Sequence, residues 1–370
     1  MSTETMDKDA LLASTARVLG ARRWRRAGYD GDIAAASASF HQIATTLGWT
    51  ALYAPEPQGG LGQPFETLAA VYEQTGRTLA PTTLASAMAS LEALSCCGPD
   101  GHGLVSAIVN GTLITPVLCK NCLVSPDGVA TGSIRNIADA QCASNIVLLP
   151  DNGPAVVIKM GDSAVDITPV ELWDRSRAVA DITFQRAMGV VVATSETARV
   201  ARTEAAAHCA LAGAWDSIGG ADQIMSELLD YLALRRQFGR SIASFQAVKH
   251  RLADLKMELE LARAFVRKAT GSFARRECRR LPLAEQARVM AAEVYVRIAE
   301  DAVQLHGGIG FTWEHDCHLF LKRAYFNLHR ADEGITSVAW EAWTGLFEGA
   351  ADADASDVRE DTIAGEHHVV

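Results

Sequence analysis

Tyr231-Leu232-Ala233-Leu234-Arg235-Arg236-Gln237-Phe238-Gly239-Arg240-Ser241-Ile242-Ala243-Ser244-Phe245-Gln246-Ala247-Val248-Lys249-His250 is the most informative stretch of the chain. It reads as a basic helix end, a glycine turn, and then an aromatic and an amide that open the next helix. Such a corner can dock a dinucleotide. Arg235 can pair with a pyrophosphate through a charge-assisted fork, and Phe238 and Phe245 offer apolar faces to adenine or ribose. A second stretch, Gln304-Leu305-His306-Gly307-Gly308-Ile309-Gly310-Phe311-Thr312, places glycines at a helix end, where a ligand can approach exposed backbone amides.

Helical periodicity surrounds both stretches. Val248, Leu252, Leu255, Leu259, Ala262 and Val266 recur in steps of three and four, as do Met290, Val294, Ile298, Ala302 and Leu305. Glu196 to Leu234 reads as one long helix that tolerates Gly213, Gly219 and Gly220, where close helix packing is the expected reason. Long amphipathic helices with short connections predict an antiparallel bundle of about four helices over 195–347. Upstream the texture changes. Short β-prone runs at Thr112–Leu118, Asn145–Leu149, Ala155–Ile158 and Ala180–Phe184, separated by turn residues, predict a small antiparallel β domain over 112–194. Residues 1–111 read as helical, with turns at Pro55–Gly60 and Gly98–Gly101. The acidic, Ala/Asp-rich stretch 348–370 reads as a disordered tail.

Composition narrows the function. The chain has 370 residues, 49% apolar and 21% charged, with a net charge of −10. That charge offers no field for nucleic acid or anionic lipid. The basic cluster Arg22–Arg26, with Trp24 inside it, reads as a solvated helix face. The N-terminus leads into no apolar run of signal type, and no stretch reaches the roughly 18 to 20 apolar residues of a membrane span. Eight scattered cysteines are expected to be reduced thiols in a cytoplasmic protein. Cys119 and Cys122 form a C-x-x-C with no second pair or neighbouring His, so no metal is expected there. On a helix, His315 and His318 would share a face, but a packing role is the simpler reading of Trp313–His318. No dinucleotide-fold glycine fingerprint after a strand, no P-loop, no H-E-x-x-H and no G-x-S-x-G is present.

Arg235–Arg240 followed by Ser244–Asp254, and Gln304–His315 followed by Leu321-Lys322-Arg323-Ala324, together resemble the two hallmark segments of the acyl-CoA dehydrogenase family. Leu47-Gly48-Trp49, Pro55–Gly62 and Glu73–Pro81 resemble its N-terminal part. The resemblance covers nearly the whole chain. It implies a mostly α fold with a small β domain: an N-terminal helical domain, a middle β-barrel-like domain and a C-terminal four-helix bundle. It also implies FAD, held between neighbouring subunits through Arg235, Phe238, Phe245, Gln246, Gln304, Gly307 and Gly308. The family converts acyl-CoA thioesters to enoyl-CoA, a carboxylate taking the α-proton and flavin taking the β-hydrogen as hydride. An acyl-CoA substrate and an acceptor such as electron-transfer flavoprotein are implied with it.

The base departs from the family pattern. An ungapped count from Gly307 puts its commoner position at Ala331, two residues before Glu333-Gly334. The alternative position, counted back from Tyr231, falls on Cys209, followed by Ala210. The candidate bases are therefore Glu333 and, behind it, Asp216. The segments that cover the flavin ring have no clear counterpart between Leu118 and Asn136. Losing both resembles the weaker partner of heteromeric family members that degrade steroid side chains, which implies a heterotetramer with a homologous subunit. A non-catalytic structural partner that completes FAD sites is the alternative, and a flavin-dependent oxygenase on the same fold is a third reading.

Overall fold

The computed structural model describes residues 15–20, 24–81, 83–120 and 122–329. Helices come first: α1 (Ile33–Thr46), α2 (Phe65–Thr78), α3 (Thr83–Ser95) and α4 (Pro99–Val109). Asp32 caps α1 by accepting from the Ala34 amide at 2.9 Å. Pro99 opens α4 directly after Gly98, whose φ of 63° turns the chain. The helix α3 is buried along nearly its whole length, so it is covered all round where a surface helix would bury one stripe.

Eight strands follow: β1 (Ile114–Cys119), β2 (Leu123–Val124), β3 (Val129–Ala138), β4 (Asn145–Pro150), β5 (Ala155–Lys159), β6 (Val165–Pro169), β7 (Val179–Met188) and β8 (Val190–Ala193). They form two four-stranded sheets, ordered β1-β4-β5-β8 and β2-β3-β7-β6. Alternation splits the first sheet's side chains between two layers. Ile146, Leu148, Val156 and Ile158 face the second sheet, where Ile182 and Phe184 meet them. Val147, Leu149, Ala155 and Val157 join the core of the helices. One expectation is corrected: β1 pairs with β4 in parallel. The chain leaves β1 for β2 and β3 in the other sheet before returning as β4, and that crossover reverses the direction a hairpin would impose.

The C-terminal bundle comprises α5 (Ser195–Leu234, 40 residues), α6 (Gln246–Ala274), α7 (Arg280–His306) and α8 (Cys317–His329). Leu252, Leu255, Leu259, Ala262 and Val266 are buried, as their spacing predicts. Where α2 crosses α5, two glycines face each other's backbones. A Cβ on Gly76 would strike the Asp216 carbonyl, and one on Gly219 the Glu73 carbonyl. Gly220 is pressed against the Tyr295 ring. Gly213 is different: a Cβ there would lie 3.7 Å from Arg288 Cγ, an ordinary contact.

Two smaller expectations change. Trp24 and Arg25 are buried instead of forming a solvated face: Arg25 donates to Glu227 at 2.6 Å and Arg26 to Asp316 at 2.8 Å. His315 lies in the turn before α8, so it shares no helix face with His318. Cys119 and Cys122 are buried thiols hydrogen-bonded to each other, which with burial pushes Cys119 well above the usual thiol range.

Gly219→Ala is expected to destabilise the fold by about 2–3 kcal/mol, because neither helix backbone can yield to the new methyl. Gly213→Ala is expected to be neutral or stabilising by up to about 1 kcal/mol through helix propensity. Denaturant unfolding of the two variants measures the difference directly.

Candidate functional site

One end of the bundle collects both informative segments. Helices α6 and α7 run antiparallel and are locked by Arg251, whose Nε and Nη2 each donate to Asp301 at 2.8 Å. That fork brings the first turn of α6, with Gln246, alongside the last turn of α7, with Gln304. The end of α5 joins them, since Tyr231 Oη donates to the His306 carbonyl at 3.2 Å.

Beyond Leu234 the chain makes a short antiparallel ribbon, Arg236–Gln237 with Arg240–Ser241. Its two turn residues, Phe238 (φ 51°) and Gly239 (φ 78°), both sit in the left-handed region that a tight hairpin demands. The ribbon holds Phe238 91% exposed. Phe245 is partly buried, with the Arg240 guanidinium 3.9 Å from its ring centroid and Phe238 edge-on at 6.4 Å. Arg235 is exposed, and no carboxylate among the described residues lies within ion-pair distance of it. Across from it, Gly307 ends α7 at φ 68°. Gly308 adopts no left-handed backbone, and a Cβ there would meet nothing within 4 Å. Among the described residues nothing fills the space over Gly308, which leaves its backbone open to a group from outside them.

These residues fit a dinucleotide. An unpaired guanidinium suits pyrophosphate, an exposed aromatic face suits adenine, and the amides of Gln246 and Gln304 with an open glycine turn supply hydrogen bonds.

The model of the acyl-CoA dehydrogenase C-terminal domain matches residues 198–331. The acyl-CoA dehydrogenase IpdE2 of Mycobacterium tuberculosis is 30% identical over 300 residues, covering 80% of this chain and 81% of that protein. The chain belongs to the acyl-CoA dehydrogenase family. Among solved structures, the ChsE4–ChsE5 complex from Mycobacterium tuberculosis is similar with a TM-score of 0.77 at 21% identity, covering 94% of this chain and 99% of that one. A steroid acyl-CoA dehydrogenase, Tcur3481–Tcur3483, gives 0.79 at 19% identity, covering 93% and 98%. At those identities the likeness is one of fold: N-terminal helices, a middle β domain and C-terminal helices.

Glu333 lies outside the described residues. Asp216 is fully enclosed: Arg323 Nη1 reaches Oδ1 at 3.1 Å, Arg177 Nη2 reaches Oδ2 at 2.9 Å, and Asn327 donates to Oδ2 at 2.8 Å. Burial works to raise this carboxyl, but Arg177 and Arg323 outweigh it and hold Asp216 below the usual carboxylate range. Both oxygens are engaged and the group is buried, surroundings that suit a structural anchor better than a base. Near Cys209, the interior is filled by a polar cluster. Tyr72 Oη and His208 Nε2 lie 2.7 Å apart, while Glu92 and Glu204 bind Arg276 at 2.9 and 2.6 Å.

Sequence reasoning missed Arg323 as the partner of Asp216. A signal existed: Arg323 sits between Leu319-Phe320-Leu321 and Ala324-Tyr325-Phe326, and an arginine inside such an apolar helix segment has to be paired indoors.

Asp216→Asn is expected to cost about 3–5 kcal/mol, since it leaves two buried guanidinium groups short of a counter-charge. The pH dependence has a definite sign. A depressed folded pKa means that the stabilisation is present above the unfolded carboxylate value of about 3.9 and is lost as pH falls through the lower folded value. Acid unfolding below about pH 4 should therefore be steeper in the native chain than in Asp216→Asn.

Proposed function

We propose that this chain is one subunit of an FAD-dependent, heteromeric acyl-CoA dehydrogenase that desaturates a bulky acyl-CoA such as a steroid side-chain thioester. The supporting observation is the open corner itself: Arg235, exposed Phe238 and Gly308 stand together with no group among the described residues paired with Arg235 or filling the space over Gly308. Arg235 pairs with the cofactor pyrophosphate, Phe238 and Phe245 flank its adenosine, and Gln246, Gln304 and the Gly307–Gly308 amides complete the cradle. When bound, FAD supplies the hydride acceptor. The same end exposes Leu234, Phe311 and Trp313, which suits a site shared with a second subunit in a four-chain assembly. The steroid-type substrate and unlike partner are supported by the likeness to the steroid enzyme and to the two-component complex. Reoxidation is assigned to electron-transfer flavoprotein or a similar acceptor.

A second reading is favoured by the acids: the chain completes FAD sites while a homologous subunit supplies the base. Cys209 stands at one expected base position and Ala331 at the other, and Asp216 is locked. If this chain is itself catalytic, Glu333 takes the α-proton.

Arg235→Ala is expected to lower flavin occupancy while helical content, read by circular dichroism, stays intact. Purification alone and with a homologous subunit, recording flavin and activity for each, tests the assembly. A preparation that never contains FAD in any pairing rejects the proposal. Glu333→Gln separates the two readings: loss of activity by several orders of magnitude with FAD retained assigns the base to this chain, whereas unchanged turnover assigns it to the partner.

A further inference from the structure

We infer that Tyr231 and His306 form a positioning pair that sets the Gly307–Gly308 turn for the dinucleotide, joining the helix end that bears Arg235 to the one that bears Gln304. This rests on the FAD-binding reading above.

Tyr231 stands one turn before Arg235 on α5. His306 is the last residue of α7, two beyond Gln304 and directly before Gly307. Their rings stack at 4.4 Å with planes 28° apart. Tyr231 Oη also donates to the His306 carbonyl at 3.2 Å. That carbonyl is one of the last four of α7, which have no acceptor role inside the helix, so the tyrosine closes the turn that the glycines continue.

The imidazole is held on its other sides as well. Its Nδ1–H donates to the Ala302 carbonyl at 2.6 Å, and the His315 ring lies 4.3 Å away. Its Nε2 is buried with no hydrogen-bond partner among the described residues, and burial pushes the ring below the ordinary histidine range, so it works as a neutral flat post. The loop then folds back over this post. A Cβ on Gly310 would press on the Val303 carbonyl and on His306 Cβ, so the residues after Gly308 lie directly on the last turn of α7. Gly307 and Gly308 are thus exposed at the rim while the residue beneath them is clamped to α5. His306 is buried and cannot touch the cofactor, so the pair acts through the glycine turn.

The test is FAD affinity in the apo-form of the assembled protein, with the melting temperature measured alongside for Tyr231→Phe, Tyr231→Leu and the site control Arg235→Ala. Tyr231→Phe keeps the stack and loses one neutral hydrogen bond, so FAD should bind about threefold more weakly. Tyr231→Leu keeps a smaller apolar side chain and loses stack and hydroxyl together, so the loss should reach about tenfold or more. A purely structural role would lower the melting temperature and leave the dissociation constant untouched. Wild-type affinity in both Tyr231 variants, with weakened binding in Arg235→Ala, overturns the pair and leaves the FAD site standing. Wild-type affinity in Arg235→Ala as well overturns the FAD reading and the pair with it.

Discussion

The guanidinium of Arg323 is the interaction on which the arrangement of the three parts depends. It is 0% exposed and sits on α8, yet its partners come from everywhere else. Asp174 and Ser176, between β6 and β7, accept at 2.9 and 2.6 Å; Asp216 on α5 accepts at 3.1 Å; and the Leu79 carbonyl at the end of α2 accepts at 3.1 Å. Two arginines, 323 and 177, face two aspartates, 174 and 216, so the buried charge cancels. Such a network is weak evidence for stability, because desolvation offsets much of the attraction. Its force is geometric: any docking of β domain on bundle that misplaces Asp174 leaves a guanidinium buried without its counter-charge. Leu79 reflects the same constraint. It holds φ 52°, costly for leucine, and in that conformation its carbonyl turns into the hub.

That hub could not form without the close crossing of α2 and α5. Gly76 lies against the Asp216 carbonyl and Gly219 against that of Glu73, so the helix backbones approach to a distance that alanine would forbid. The approach carries the end of α2 over the segment of α5 that presents Asp216. Small residues and a buried arginine are thus two halves of one device: the glycines set the distance, and the ion network sets the angle. The open corner lies at the C-terminal end of the same helix α5, so its position relative to the β domain follows from both.

Much of this was legible in the sequence where the information is local. The stripe Leu252–Val266 shows itself by spacing, and the bundle follows from it. The two motif segments announced a basic helix end and a glycine turn, and the structure places them on one face of one corner. What was not legible depends on partners distant in the chain. Asp216 looks like a lone acid on a helix, and only its neighbours 107 and 111 residues away, Arg323 and Asn327, make it an anchor. The parallel pairing of β1 with β4 is hidden for the same reason, since local alternation specifies a strand and its faces but not its neighbour. Arg25 misleads in the opposite direction. A run of arginines reads as solvated until Glu227 and Asp316 are brought to it.

The commitment of acids to arginines bears on where a proton acceptor can lie. Six acids are buried among the described residues. Asp174 and Asp216 face Arg323, Glu92 and Glu204 face Arg276, Asp301 is forked by Arg251, and Asp139 accepts from Ser86 at 2.6 Å. A carboxylate that abstracts a carbon-bound proton needs an oxygen free to meet the substrate and a basicity not already suppressed by a paired cation. An acid fully engaged by arginine has neither. With these buried acids engaged, the proposed sources of the base are Glu333, in the stretch from 330 onward, and a homologous chain docked on the exposed end of the bundle. The second agrees with the surface. The buried acids are neutralised, whereas the corner bearing Arg235 and Gly308 is charged, aromatic and uncovered by the described residues, which is the distribution the proposed shared site requires.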